Sequence, residues 1–452
     1  MNSNRPASAA LPGFGTALRV WLKIGLLSFG GPAGQIALMH KVVVDDLRWV
    51  GERRFLHALN FCTLLPGPEA QQLAIYLGWL MHGVKGGLAA GLLFILPGAL
   101  VMLALSLTYV LFGTLPLISG LFFGLKCAVL VLVIEALLRV ARRALKGGAA
   151  YAMAVAAFIG LFLFHIPFPL IVLGAGAIGL LTPRAFTHRW HDAEDAGPPA
   201  LIDALLAQNP GHADDLARGA RRAGLCAILL WLLPVFALVL LVGGTFADIA
   251  GFFTKMAVVT MGGAYAVLAY VAQDAVSAYR WLSSAEMLTG LGLAETTPGP
   301  LILVLQFVGF LAGYRAEGNF AGIPGGIMGA LLTLWVTFAP CFAFIFLGAP
   351  IVERLQGNRQ LAGGLAAITA AVVGVIANLA LWFSLHVLFK VVTPRAFGPM
   401  TLDLPVANSI DPAALGLVAL ATLCLFAFRQ GLGRTLAITA LAGLALSWFG
   451  AL

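Results

Sequence analysis

Charge is scarce in this chain. Only 10% of its 452 residues are Asp, Glu, Lys or Arg against 61% hydrophobic, and the mean hydropathy is +0.97, a balance outside the range of soluble domains. The five cysteines (Cys62, Cys127, Cys226, Cys341, Cys424) are scattered, mostly inside apolar runs. They lack the paired spacing of a zinc site and the framework of a disulfide-stapled fold, so they read as small packing residues. The eight histidines are dispersed, and His188 with His191 makes no metal site. A phosphate loop ending in Gly-Lys-Ser/Thr, a His-Glu-x-x-His helix and a Gly-x-Ser-x-Gly elbow are all missing. ATP-driven transport, zinc proteolysis and serine hydrolysis therefore have no site, and neither an enzyme nor a cofactor is expected. The net charge of +8 comes from short basic clusters between apolar runs, which points to membrane orientation and not to nucleic acid.

What the chain has is apolar runs near the 20 residues that a helix needs to cross a bilayer. The expected fold is an all-α polytopic membrane protein, and helical runs in place of short alternating segments exclude a porin-type barrel. Runs at about 14–40, 60–82, 87–112, 115–138, 223–243, 250–272, 287–314, 323–349, 361–391, 411–428 and 434–450 are read as crossings. The 149–182 stretch carries Pro167 and Pro169 and is read as two short helices that return to one side. That gives about 13 transmembrane helices. Residues 41–58 mix charge with Leu, Trp and Phe and suit an interfacial amphipathic helix. Nothing near Arg5, Arg19 and Lys23 reads as a cleaved signal, so the first helix is expected to stay.

One arrangement occurs twice. Adding 232 carries Lys23 onto Lys255, Ser28 onto Thr260, Gly30-Gly31 onto Gly262-Gly263, Arg48-Trp49 onto Arg280-Trp281 and Pro66-Gly67-Pro68 onto Pro298-Gly299-Pro300. The expected domains are a first repeat with a helical hairpin (1–182), a cytoplasmic linker (183–222), a topology-inverting helix (223–247), a second repeat (248–391) and a C-terminal helix pair (392–452). One unpaired crossing before the second copy makes the two copies inverted, with the N-terminus cytoplasmic and the C-terminus periplasmic.

Inverted repeats with helices broken at matching positions are the build of secondary transporters, which hold substrate where the copies meet. A Gly-Gly or Pro-Gly-Pro break leaves a half-helix whose N-terminal N–H groups are free and carry partial positive charge, a setting for an anion. Candidate binding residues in the first copy are Lys23, Ser28, Gly30, Gly31, Pro66, Gly67, Glu69, Gln71 and Gln72. In the second they are Lys255, Thr260, Gly262, Gly263, Thr296, Thr297 and Gly299. Each lysine lies seven residues before its glycine pair, on the same helix face. A charge there either meets an anion between the copies or snorkels to a headgroup. Arg48-Trp49 and Arg280-Trp281 are gating or interfacial residues. Lys126 and Glu135 lie nine residues apart in one run without counterparts in the second copy, and a coupling role and an interfacial one stay open. Helix ends and lysines fit a tetrahedral oxyanion dianion better than a cation.

The motifs Phe29-Gly30-Gly31-Pro32, Leu65-Pro66-Gly67-Pro68-Glu69 with its Gln pair, Met261-Gly262-Gly263 and Thr297-Pro298-Gly299-Pro300 resemble those of the chromate ion transporter family, long-chain two-domain type. The likeness runs from about 14 to 391. It implies a bacterial inner-membrane protein that exports chromate, confers chromate resistance and meets sulfate as a similar anion. Proton coupling and alternating access of the two copies follow as expectations, with membrane lipid as surroundings and a homodimer left open. An importer or exchanger of sulfate or a related oxyanion is the alternative. Ala264 stands where the first copy has Pro32, and Leu301 where it has Glu69, so the copies are not equivalent.

Overall fold

The computed structural model describes residues 11–29, 31–113, 115–186, 200–208, 212–259, 264–318, 320–349, 359–397 and 400–450. The first copy comprises α1 (Phe14–Leu27), α2 (Gly31–His40), α3 (Glu52–Leu64), α4 (Glu69–Phe112), α5 (Pro116–Ala144), α6 (Gly148–Phe162) and α7 (Phe168–Leu181). A single turn, α8 (Pro183–Phe186), is followed by α9 (Leu201–Gln208) and α10 (His212–Ala237). The second copy comprises α11 (Gly244–Val259), α12 (Ala264–Gln273), α13 (Ser284–Thr296), α14 (Val304–Tyr314), α15 (Ile323–Gly348), α16 (Arg359–Leu388), α17 (Pro412–Thr422) and α18 (Leu432–Trp448). An antiparallel pair, β1 (Val392–Phe397) and β2 (Met400–Pro405), joins α16 to α17. This pair lies in a region expected to hold only helices.

Proline sets the helix ends. Leu65 and Thr297, each just before a Pro-Gly-Pro, are extended at φ −89°, ψ 147° and φ −94°, ψ 149°, because the next ring excludes the helical conformation. The chain then turns through Gly67 (φ +114°) and Gly299 (φ +91°) and starts a new helix running back. In the second copy, a Cβ on Gly290 of α13 would lie 2.5 Å from the Phe307 ring of α14, and Arg315 after α14 reaches Glu286 in the first turn of α13 (2.5 Å). The expected 287–314 crossing is therefore a hairpin with both ends on one side. In the first copy, α3 and the 69–81 limb of α4 pair likewise, with the Phe61 and Tyr76 rings 6.2 Å apart.

A second break divides α4 itself. His82 (φ −131°, ψ 24°) and Gly83 (φ +62°, ψ −153°) leave helical geometry, and a Cβ on Gly78 would sit 2.5 Å from the Gly86 carbonyl. Eight residues along one continuous helix would separate those glycines by about 12 Å. The limbs 69–81 and 84–112 thus fold against each other, as the separate 60–82 and 87–112 runs anticipated. Gly313 and Gly325 bring α14 and α15 together in the same way.

These contacts sort the molecule into two ends. His82 Nε2 donates to the Pro12 carbonyl (2.8 Å), and Leu216 packs on Gly83. The start of α1, the 82–83 turn and the start of α10 therefore share one end, here end A. His40 at the end of α2 reaches Glu52 (2.5 Å), so the chain is back at end A where the first hairpin begins. The 41–58 segment is not one amphipathic helix. A π turn, Lys41–Asp46, ends α2, the chain reverses through Arg48 at φ +48°, and α3 begins at Glu52. At the opposite end, B, Tyr109 reaches Glu286 (3.4 Å) and Ser447 donates to the Pro116 carbonyl (2.5 Å).

The copies are inverted. Beyond the hairpin turns the correspondence shifts to 243, matching Pro97 with Pro340 and Pro116 with Arg359, because the 315–322 turn is longer than the one at 82–83. The 84–112 limb and α15 are thus the same element, and they pack antiparallel, Gly87 on Phe346 and Gly91 on Phe342. Antiparallel contact between equivalent elements is what a two-fold axis across the helices produces. The terminal pairs exchange partners: α7 packs on α16 at Gly179 and Gly363, and α18 on α5 at Gly124 and Thr439. The C-terminal pair α17–α18 is thereby the counterpart of α6–α7, and the second copy's likeness to the first runs past residue 391.

Among the described residues, five stretches are long and apolar enough to cross a membrane: Glu69–Phe112 by its second limb, Pro116–Ala144, Leu216–Val242, Ile323–Gly348 and Ala362–Leu388. The expected thirteen crossings are therefore not all full ones: the 287–314 run, for one, turns back at its Pro-Gly-Pro. Five is also odd, so the described ends of the chain still fall on opposite ends of the molecule. The outer face is apolar: Leu240 is 77% and Leu241 83% exposed on the π turn after α10, a surface suited to lipid.

Gly98 makes one of the close contacts between the copies. A Cβ there would lie 2.0 Å from the Pro298 carbonyl. Gly98→Ala is expected to destabilise the protein by about 1–3 kcal/mol. Gly416→Ala, where a Cβ would meet nothing within 4 Å, is expected to leave stability level or slightly raised. Thermal unfolding of both variants in one detergent checks this.

Candidate functional site

The two hairpin tips lie at the centre of the molecule, each seated against the other copy. Tip two is clamped through Gly299, whose N–H donates to the Ser28 carbonyl (2.7 Å) while its own carbonyl accepts from Gln35 Nε2 (2.6 Å). Ser28 at the end of α1 and Gln35 in α2 flank the break between those helices, and both are buried. The Ser28 hydroxyl turns back to the Ile24 carbonyl (2.6 Å). Gln306 on α14 reaches across the copies in the same way and donates to the Ala99 carbonyl (3.0 Å).

Tip one carries the polar groups. Pro68 caps the 69–81 limb without a side-chain hydrogen bond, so the first N–H groups of a buried half-helix are not met by a cap. Gln72 Nε2 donates to the Pro66 carbonyl (2.6 Å), which fixes the turn. A Cβ on Gly67 would sit 3.0 Å from Cys341 Sγ on α15, so tip one rests on the position that corresponds to Gly98. Gln71 is fully buried, and neither its amide nitrogen nor its oxygen has a hydrogen-bond partner. Oxygens of Gln35, Gln72, Gln306 and Thr337 are also unpaired. Leaving such a group buried and unmet costs about 1–3 kcal/mol, so Gln71 at tip one is set up for a polar ligand or water.

Tip two differs. Thr296 and Thr297 turn their hydroxyls onto the Leu293 and Ala294 carbonyls (2.8 and 2.9 Å), and the helical start after Pro300 is Leu301-Ile302-Leu303, all buried. Beside it opens a cavity of about 700 Å³ whose lining includes Phe29, Leu105, Phe122, Leu125, Glu295 and Thr296. Its walls are mostly aliphatic and aromatic, and Gln71 is not among them, so we place the candidate anion site at tip one.

The remaining candidates separate. Lys23 and Lys255 are exposed on the outward faces of α1 and α11, opposite the buried Trp21, Ile24, Phe253 and Met256. Five residues from Lys23 to Ser28 turn a helix by about 140°, so burying the serine points the lysine outward. Gly31 opens α2 at φ +70°, and Glu69 is partly buried at the first position of its limb. Gly30, Thr260, Gly262 and Gly263 lie outside the described residues. Arg48 and Arg280 are exposed and both left-handed, at φ +48° and +53°, while Trp49 and Trp281 are buried. Lys126 lies over the Phe123 ring (4.8 Å), and Glu135 pairs with Arg139 on its own helix, so Lys126 and Glu135 are not partners.

Gln35, Gln306, Thr337 and Cys341 were not among the expected residues. The signal for the glutamines was available, since an amide within an apolar run is costly unless it meets a partner. Cys341 gave none, because its role comes from the 243 correspondence with Gly98.

The profile of the family described as Chromate transporter matches residues 16–180 and 247–448. The chain is 32% identical to the Chromate transport protein of Pseudomonas aeruginosa, over 79% of this chain and 77% of that one. It is 28% identical to the Probable chromate transport protein of Synechococcus elongatus (79% and 81%) and 26% identical to the Chromate transport protein of Cupriavidus metallidurans (79% and 79%). No solved structure matches the chain. The two matched blocks coincide with the two inverted copies and omit the segment between them, and the chain belongs to the chromate transporter family.

Proposed function

We propose that the protein exports chromate from the cytoplasm and so confers chromate resistance, by alternating exposure of a site at tip one to the two ends of the molecule. The observation that carries the site is Gln71, fully buried with both amide atoms unpaired in the first turn of an uncapped half-helix. The amide N–H₂ and the free backbone N–H groups supply donors to a tetrahedral oxyanion without a buried cation. The unpaired oxygen of Gln72, on the same tip, serves water or a protonated oxygen of the ligand. The family supplies chromate as the anion; sulfate has the same shape and charge and remains the second substrate.

The direction has a physical argument. Each negative charge moved outward across an interior-negative membrane gains about 2.3 kcal/mol per 100 mV, so a dianion gains about twice that on export. A proton carried inward would add to this drive. End A is taken as cytoplasmic: Arg53, Arg54, Arg218, Arg221 and Arg222 gather near the first hairpin base and the start of α10, as the positive-inside rule requires.

Losing a hydrogen bond to a charged ligand costs about 1.5–3 kcal/mol. Gln71→Leu is thus expected to lower labelled chromate uptake into everted vesicles by roughly ten- to a hundredfold at normal protein abundance. Lys23→Ala and Lys255→Ala are expected to keep most of it. Uptake by Gln71→Leu at the wild-type rate would remove the site from tip one, and wild-type vesicles that take up no chromate would overturn export. For topology, Lys146→Cys in a cysteine-free background is expected to react with an impermeant thiol reagent only from the cytoplasmic side. Asn408→Cys, beyond the β pair, is expected to react only from the periplasmic side.

A further inference from the structure

The segment between the copies is not only a tether. Its α9 helix docks on the base of the first hairpin, where the Leu201 and Ile202 N–H groups donate to the Arg48 and Trp49 carbonyls (3.1 and 3.0 Å). Asp203 accepts from the Gly51 N–H (3.0 Å) and from Arg54 Nε (2.5 Å). Ile202 is fully buried, in a core cluster drawn mostly from the first copy.

The second copy meets the same three groups from within. Gly51, Trp49 and Arg54 correspond to Ser283, Trp281 and Glu286. The Ser283 N–H donates to Glu286 Oε2 (2.8 Å), the Ser283 hydroxyl accepts from the Glu286 N–H (3.2 Å), and the two form a capping box on α13. The Trp281 carbonyl accepts from Arg315 Nη1 (2.6 Å), and Arg315 holds Glu286 through two hydrogen bonds (2.5 and 3.1 Å). Each base thus has a carboxylate on the N-cap N–H, an arginine on that carboxylate and a donor on the tryptophan carbonyl. In the first copy the carboxylate and that donor are lent by the segment between the copies. Position 54 has become the arginine, and position 51 has lost the capping hydroxyl.

We infer that Asp203 is a positioning residue for transport: it caps α3 from outside the repeat and thereby holds tip one at the depth where Gln71 meets the anion. This rests on the reading of tip one as the anion site. α3 ends two residues before Pro66, so fraying of its first turn frees the rigid 13-residue lever that carries the tip. The segment between the copies becomes part of the transport machinery, and its docking is a requirement that the second hairpin does not share.

The correspondence supplies its own rescue. Gly51 has φ −74°, ψ 154° and Ser283 φ −78°, ψ 164°, so a serine fits at 51 without strain. Three forms of the full chain in lipid nanodiscs and everted vesicles are compared: wild type, Asp203→Ala, and Asp203→Ala with Gly51→Ser and Arg54→Glu, which writes the second copy's capping box into the first. Loss of an N-cap is expected to speed amide hydrogen exchange at 52–58 by roughly two- to thirtyfold, leave 284–296 unchanged and lower chromate uptake at equal abundance. The triple variant is expected to restore both readouts. Unchanged exchange at 52–58 in Asp203→Ala overturns the cap, and restored exchange without restored uptake overturns the positioning role. Wild-type vesicles that take up no chromate count against the reading of the site, while the exchange pattern still decides the cap.

Discussion

The two hydrogen bonds on Gly299 fix the relation between the copies. One backbone amide of the second hairpin, at a conformation open to glycine, donates to Ser28 and accepts from Gln35, so the break in one copy is satisfied by the break in the other. Without bilayer water to meet exposed backbone groups, a helix interruption at membrane depth persists only when protein supplies the partners. The first copy's break supplies these partners to tip two, and Gln306 of the second copy meets the Ala99 carbonyl of the first.

Small residues make this exchange geometrically feasible. Gly98 lets the Pro298 carbonyl approach a helix axis, and Cys341 occupies the corresponding place against Gly67. Glycine pairs close the limbs at Gly78 and Gly86, at Gly313 and Gly325, and between α5 and α18. In lipid the hydrophobic effect gives helices little reason to associate, and close backbone approach supplies the packing instead. Many of the chain's 53 glycines thus serve close interfaces between helices.

Duplication gave two tips and two bases that then diverged. Tip one kept polar groups behind its Pro-Gly-Pro, whereas tip two became aliphatic and serves as the clamped partner. The second base closes with its own Ser283, Glu286 and Arg315, whereas the first relies on Asp203 from outside the repeat. The broken symmetry leaves the unpaired amide of Gln71 on one side of the pseudo-two-fold axis and the self-sufficient base on the other.

Composition alone determined a helical membrane protein, and the constant 232 offset determined its duplication, because lipid solvation and repeated punctuation are written residue by residue. Pro167 and Pro169 likewise announced the α6–α7 turn, whereas nothing announced the reversal through Arg48 inside 41–58. Only the tertiary structure decided what a break does. A Pro-Gly-Pro within an apolar run reads alike whether the chain kinks onward or reverses, and the choice rests on contacts such as Gly290 with Phe307, 17 residues apart in sequence. Helical spacing likewise placed Lys23 with Gly30, but which face turns inward was decided by the burial of Ser28 against Gly299. Asp203 shows the limit most plainly: in sequence it is one acid in a polar stretch, and it becomes a helix cap because folding carries it 152 residues back to Gly51.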